Sequence, residues 1–73
     1  MTVPLVEITL TEGRSPEQLR TLISTVTHAV SDSVAAPIDS IRVVLREVPT
    51  THFAAGDVTI AERSAQQHTA QSS

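Results

Sequence analysis

The chain has 73 residues, no cysteine and a formal net charge of −3. A monomer of that size buries only about 60% of the surface that its unfolded chain exposes, and without cysteine it has no disulfides or thiolate metal ligands. His28, His52 and His68 lie too far apart for a local zinc motif, so we expect no metal and no cofactor. With five basic residues, no apolar run of membrane-spanning length and no secretory signal, we predict a cytoplasmic protein that binds neither nucleic acid nor membrane. The stability that one small core cannot provide must then come from oligomerisation.

The first predicted element is a strand from Pro4 to Thr11, in which apolar residues alternate with polar ones. The sequence Ser15-Pro16-Glu17-Gln18 then gives an N-cap serine, a proline at the first helical position and a glutamine three residues after the cap, which predicts a capping box. The helix that follows is predicted to run to about Val34. Its apolar stripe has spacings of three and four and consists of Leu19, Leu22, Ile23, Val26, Ala29, Val30 and Val34.

A turn at Pro37 to Ser40 leads to a second predicted strand from about Ile41 to Val48. Two strands joined through a long helix cannot form a tight hairpin, so we expect a right-handed crossover with parallel strands. The predicted fold is α+β, a single βαβ subunit. Both alternating sets of the second strand are largely apolar, which indicates that both sheet faces are covered. One helix covers only one face, so a second subunit should cover the other.

Residues 49 to 56 are predicted to form a loop that contains His52 and Phe53, and Asp57 to Ile60 a short strand or hairpin. We assign residues 1–61 to the folded domain. Residues 62–73 are rich in Ser, Gln, Thr and Ala, with almost no large apolar side chain, and are predicted to be a disordered tail.

Four short sequence features occur in order along this outline. They are Pro4 at the start of the first strand, EGRS at Glu12 to Ser15, SIRV at Ser40 to Val43, and HF at His52-Phe53. Together they resemble the 4-oxalocrotonate tautomerase family over about residues 4 to 61.

This resemblance implies an enol–keto tautomerase acting on a small acidic substrate such as 2-hydroxymuconate. In the family an amino-terminal proline is the general base, two arginines hold the carboxylate and oxo groups of the substrate, and a phenylalanine lines the pocket. By position these roles would fall on Pro4, on Arg14 and Arg42, and on Phe53. We expect six copies, of this chain alone or mixed with a paralogue, because a dimer would leave Phe53 and residues 57–60 without partners.

The chemistry of these side chains fits those roles. A prolyl amine at a chain terminus titrates close to neutral pH, and apolar surroundings and nearby cations both lower its pKa. The planar fork of arginine pairs with a carboxylate through two hydrogen bonds, and a cation beside the 2-oxo group stabilises the negative charge that develops there.

Other interpretations remain open. Pro4 could simply begin an edge strand, Arg14 could be a solvated cation, Arg42 could pair with a surface carboxylate, and Phe53 could fill a subunit contact. A dehalogenase or hydratase needs a carboxylate to activate water. Because Asp57 is the only acid between residues 49 and 60, we rank this activity below the tautomerase.

The residues before Pro4 raise a third possibility for the function of the chain. Three residues precede Pro4, and a proline within the chain has an amide nitrogen that cannot act as a base. The chain is therefore either a noncatalytic structural subunit or an enzyme whose active form begins at Pro4.

Overall fold

The computed structural model describes the backbone of residues 3–71 and the side chains of residues 3–65. Its elements, in chain order, are β1 (Leu5–Thr11), α1 (Pro16–Val34), a 3₁₀ helix (Ile38–Ser40), β2 (Arg42–Val48), a second 3₁₀ helix (Thr50–His52), β3 (Ala54–Ala55), β4 (Val58–Thr59) and α2 (Ile60–Gln71). β1 and β2 pair in parallel, from Leu5 opposite Arg42 to Thr11 opposite Val48. This confirms the predicted α+β fold, a βαβ unit followed by a hairpin. In the described part of the chain, no helix combines the length and the apolar character needed to cross a membrane.

Helix α1 begins where the sequence predicts. The Ser15 hydroxyl accepts a hydrogen bond from the Gln18 backbone N–H at 3.1 Å, and the Gln18 side-chain oxygen accepts one from the Ser15 N–H at 3.0 Å. These two bonds satisfy donors that the first helical turn cannot pair within itself. The helix ends at Val34, and Ala35 follows in the left-handed conformation with φ of 57°.

The connection from α1 to β2 is held by hydrogen bonds to its own backbone. The Ser40 hydroxyl and the Ser40 N–H both donate to the Pro37 carbonyl, at 2.7 and 3.0 Å, and the Ile41 N–H donates to the Ile38 carbonyl at 3.2 Å. Because the Ile41 N–H is used in this turn, β2 starts at Arg42, one residue later than predicted.

The two faces of the β1–β2 sheet differ in burial. Over residues 5–10 and 42–46 the strands alternate between half-buried and exposed positions, and α1 packs on the half-buried side. The other side, which we call the open face, consists of Leu5, Glu7, Thr9, Thr11, Arg42, Val44, Arg46 and Val48. On it Leu5 is 58% exposed and Val44 39% exposed. Two aliphatic side chains of the sheet are therefore left in water.

A single chain does not bury enough of itself to be an independent domain. Among the side chains of residues 3–65, only Ile41 is buried. The accessible surface is 5474 Å², against about 4,400 Å² for a folded monomer of this mass. The radius of gyration is 16.4 Å, against about 11 Å for a compact domain of this length.

The hairpin follows β2 and the second 3₁₀ helix. Its turn is Gly56-Asp57, with φ of 60° and 69°, and two adjacent residues with positive φ match the twist of a tight hairpin. Strand β4 lies within the predicted Asp57 to Ile60 segment, whereas β3 was not predicted.

Helix α2 (Ile60–Gln71) includes most of the segment that the sequence predicts to be a disordered tail. The Thr59 hydroxyl accepts from the Glu62 N–H at 3.0 Å, and the Glu62 carboxylate accepts from the Thr59 N–H at 2.9 Å. This is a second capping box, and it starts a helix where apolar periodicity gave no sign of one. Residues 72 and 73 of the predicted tail lie outside the described residues.

Candidate active site

Pro4 and Arg42 meet at one end of the sheet. The Pro4 carbonyl accepts a hydrogen bond from the Arg42 N–H at 2.9 Å, and Pro4 is half-buried. The Arg42 guanidinium donates through Nη1 to the Asp39 carbonyl at 2.9 Å. Since Asp39 belongs to the 3₁₀ helix before β2, that turn holds the Arg42 guanidinium, while the Arg42 backbone is bonded to Pro4.

Arg14 lies at the other end of β1. Its Nη1 donates to the Thr11 carbonyl at 2.9 Å, and the Glu12 N–H between them donates to the Val48 carbonyl at 2.9 Å. The Arg14 guanidinium is therefore held at the end of the sheet where β1 and β2 terminate.

Phe53 lies beyond the end of β2. Its carbonyl accepts a hydrogen bond from the Ile60 N–H at 2.8 Å, which closes the hairpin, and Phe53 is half-buried. In the neighbouring His52, the distance from Nδ1 to the Thr51 hydroxyl oxygen is 2.9 Å. Phe53 thus lies at the base of the hairpin that follows β2.

The four candidate residues do not form one site within a single chain. From Leu5 to Thr11 a strand spans about 20 Å, at roughly 3.3 Å per residue. Pro4 and Arg42 lie at one end of this span, and Arg14 lies at the other. One small substrate cannot contact all four residues of the same chain.

Both candidate arginines are free of acidic partners in the described part of the chain. The ion pair found among the side chains of residues 3–65 joins Arg46 and Glu7 at 2.8 Å on the open face. Arg14 and Arg42 each bond the carbonyl three residues before them instead. A guanidinium has five N–H donors, so each retains donors for an anion, and the expected alternative of an Arg42–carboxylate pair is not found within that range.

The site offers no metal-binding cluster and, in this form of the chain, no free prolyl amine. Among the residues described, no group of three or more His, Asp or Glu side chains could hold a metal ion. Val3, which is 45% exposed, is joined to Pro4 through a peptide bond, so the Pro4 nitrogen carries no basic lone pair. Proton transfer at Pro4 requires that bond to be absent.

Comparison with known proteins assigns a family to this arrangement. The sequence matches the family described as "Tautomerase enzyme" over residues 4–63. It is 46% identical to the 2-hydroxymuconate tautomerase of Stutzerimonas stutzeri over 54 residues, which are 74% of this chain and 86% of that protein. The matched family range contains all four candidate residues and ends in the first turn of α2.

Solved structures give the same result for the fold. The chain is similar to TomN, a 4-oxalocrotonate tautomerase homologue in the tomaymycin biosynthetic pathway, with a TM-score of 0.83 and 35% identity over 85% of this chain and 95% of that one. It is also similar to a heterohexamer 4-oxalocrotonate tautomerase from Chloroflexus aurantiacus, with a TM-score of 0.78 and 36% identity over 81% of this chain and 95% of that one.

Proposed function

Because this chain belongs to the tautomerase family, we propose that it interconverts the enol and keto forms of a small unsaturated carboxylate such as 2-hydroxymuconate. The observation that carries this proposal is the pair of arginines without a carboxylate partner among the described residues, one of them hydrogen-bonded to Pro4 through its backbone. The substrate class is supported by the similarity to a 2-hydroxymuconate tautomerase.

The proposed reaction is a proton transfer through the Pro4 amine. The amine nitrogen takes the proton of the substrate's 2-hydroxyl, a C=O bond forms at that carbon, and the conjugated double bonds shift. The same nitrogen then gives the proton to a distal carbon, so no atom is lost and no co-reactant is needed. In this proposal Arg42, whose backbone N–H is bonded to the Pro4 carbonyl, stabilises the charge that develops on the oxo oxygen.

The proposed site is completed by a neighbouring copy. A second chain whose β1 runs antiparallel to the first brings its own Arg14 end to the Pro4 end of the first chain. Arg14 then binds the distal carboxylate as an ionic hydrogen-bond donor, and Phe53 forms an apolar wall. The uncovered aliphatic side chains of the open face support this assembly, for which we favour six copies, and one similar protein is a heterohexamer.

The proposal also requires that the active chain begin at Pro4. Initiation at Val3 through an alternative start codon, followed by removal of the initiator residue, would expose the Pro4 amine. The Val3–Pro4 peptide bond favours one second candidate, a noncatalytic subunit that assembles with a catalytic chain. A dehalogenase or hydratase has less support, because Asp57 lies exposed in the hairpin turn.

One experiment separates these functions. The form that begins at Pro4 is offered 2-hydroxymuconate and, in parallel, a halogenated unsaturated acid. We expect ketonisation of the first and no halide release from the second. Halide release without ketonisation would select the dehalogenase. Turnover of neither substrate, by an assembled protein, would select the structural subunit.

A further inference from the structure

The short segment between β1 and α1 is fixed at both ends. On one side the Glu12 N–H is bonded to the Val48 carbonyl at 2.9 Å. On the other side Ser15 is fixed by its capping box with Gln18. Only Gly13 and Arg14 lie between these anchors, so their backbone angles decide where the Arg14 side chain leaves the chain.

Gly13 has a conformation that other residues rarely adopt. Its φ is +125°, a value open to glycine because it has no Cβ. An added Cβ at Gly13 would meet nothing within 4 Å. The requirement for glycine therefore comes from the backbone angle and not from crowding.

The same backbone angle aims the guanidinium. Arg14 reaches back to the Thr11 carbonyl through Nη1 at 2.9 Å, and Gly13 is one of the two residues that separate the partners of this contact. A change of φ at residue 13 rotates the backbone just before Arg14 and so changes the direction in which its side chain leaves the chain.

We propose that Gly13 is a positioning residue for Arg14, which holds the guanidinium where a dicarboxylate substrate reaches the carboxyl ends of β1 and β2. This inference rests on the proposed role of Arg14 in substrate binding. Gly13 itself touches no substrate, so its effect passes entirely through Arg14.

The test is a double-mutant cycle read out by binding, which needs no catalytic base. Muconate, a dicarboxylate that lacks the 2-hydroxyl group, is titrated calorimetrically into the assembled protein, both as the full chain and as the form that begins at Pro4. The variants are Gly13→Ala, Arg14→Ala and the two combined. Gly56→Ala is the matched control, since Gly56 also has positive φ, at +60°, and open space around an added Cβ.

We expect Arg14→Ala to weaken muconate binding roughly 10- to 100-fold, as for loss of an ionic hydrogen bond, and Gly13→Ala to weaken it nearly as much. The combined variant should bind no more weakly than Arg14→Ala alone, because the two changes remove the same contact. Gly56→Ala should act independently of Arg14→Ala. Parent-like binding by Gly13→Ala, or full additivity with Arg14→Ala, would overturn the proposal.

Two further measurements keep the outcomes separate. If Arg14→Ala binds muconate as the parent does, the substrate role of Arg14 is wrong, and a crystal structure of Gly13→Ala decides the positioning role. Loss of the Arg14–Thr11 contact there supports it, and an unchanged contact refutes it. If Gly13→Ala does not fold, a synthetic chain with D-alanine at position 13, which accepts positive φ, should keep the parent affinity. Weak binding by that folded chain would contradict the requirement for positive φ.

Discussion

The substitution Val44→Lys probes the open face of the sheet, to which a neighbouring copy is proposed to bind. Val44 is 39% exposed in the single chain and lies on the same face of β2 as Arg42 and Arg46. A lysine there adds a third cation to the row. The one acid opposite, Glu7, is already paired with Arg46 at 2.8 Å.

The expected cost follows from burial. Covering the exposed part of Val44 is worth about 1 kcal/mol per copy, taking its exposed fraction of the roughly 1.5 to 3 kcal/mol for a whole aliphatic side chain. Burying an ammonium group without a partner costs several kcal/mol more. A total on the order of 4 kcal/mol per copy corresponds to about a 1000-fold weaker association.

The assay is light scattering at micromolar concentration, with Thr25→Lys as the control. Thr25 is exposed on α1, away from the open face, so the same new charge there should leave assembly intact. We expect Val44→Lys to dissociate into smaller species that are less stable to heat than the parent. If Val44→Lys assembled as the parent does, the open face would not be a subunit interface and the composite site would lose its structural basis.

Three further predictions use the same preparations. The parent should scatter light as a species larger than a dimer, most simply a hexamer, and a stable folded monomer of about 8 kDa would contradict the burial argument. In the form that begins at Pro4, Arg14→Ala and Arg42→Ala should each lower kcat/KM on 2-hydroxymuconate by a factor that corresponds to roughly 1.5 to 3 kcal/mol of transition-state stabilisation, with assembly retained. Parent kinetics in both variants would show that neither arginine binds the substrate. Deleting residues 64–73 should leave assembly and turnover nearly unchanged, because the half-buried residues of the described C-terminal part end at Ala61, and a large loss of either would assign α2 a structural role.

Much of the fold could be predicted because its signals are local. The capping box at Ser15 and Gln18 fixes the start of α1, and Pro37 marks its end. The apolar–polar alternation of β1 and the largely apolar run of β2 predict both strands, and the long crossover requires that they be parallel. These features depend on residues close together in sequence, so no knowledge of distant contacts was needed.

Helix α2 is not predicted by the composition of its segment, although a capping box precedes it. Residues 62–73 have too few large apolar side chains to suggest a packed helix, yet Thr59 and Glu62 have the spacing of a capping box. Strand β3 was missed because alanine has little preference for strands. The dipeptide Gly56-Asp57, whose residues both have positive φ in the structure, was the available sequence signal for a hairpin turn at that point.

The division of the candidate site between two ends of the sheet was only partly open to sequence reasoning. The length of β1 already implies that Pro4 and Arg14, at its opposite ends, lie far apart. The hydrogen bonds of Arg14 to Thr11 and of Arg42 to Asp39 could not be predicted, since they depend on side-chain conformations. Which residues a neighbouring copy supplies depends on contacts between chains, and no spacing within one chain encodes those directly.

The proline-base mechanism is tested by comparing two N-termini. The form that begins at Pro4 and the chain that carries residues 1–3 are prepared, their intact masses are confirmed, and their rates on 2-hydroxymuconate are measured across pH. We predict that the Pro4 form is much faster and that its kcat/KM falls as the pH drops and the amine becomes protonated. The longer chain should be nearly inactive, because its Pro4 nitrogen is an amide. Equal rates for the two forms would contradict the proline-base mechanism.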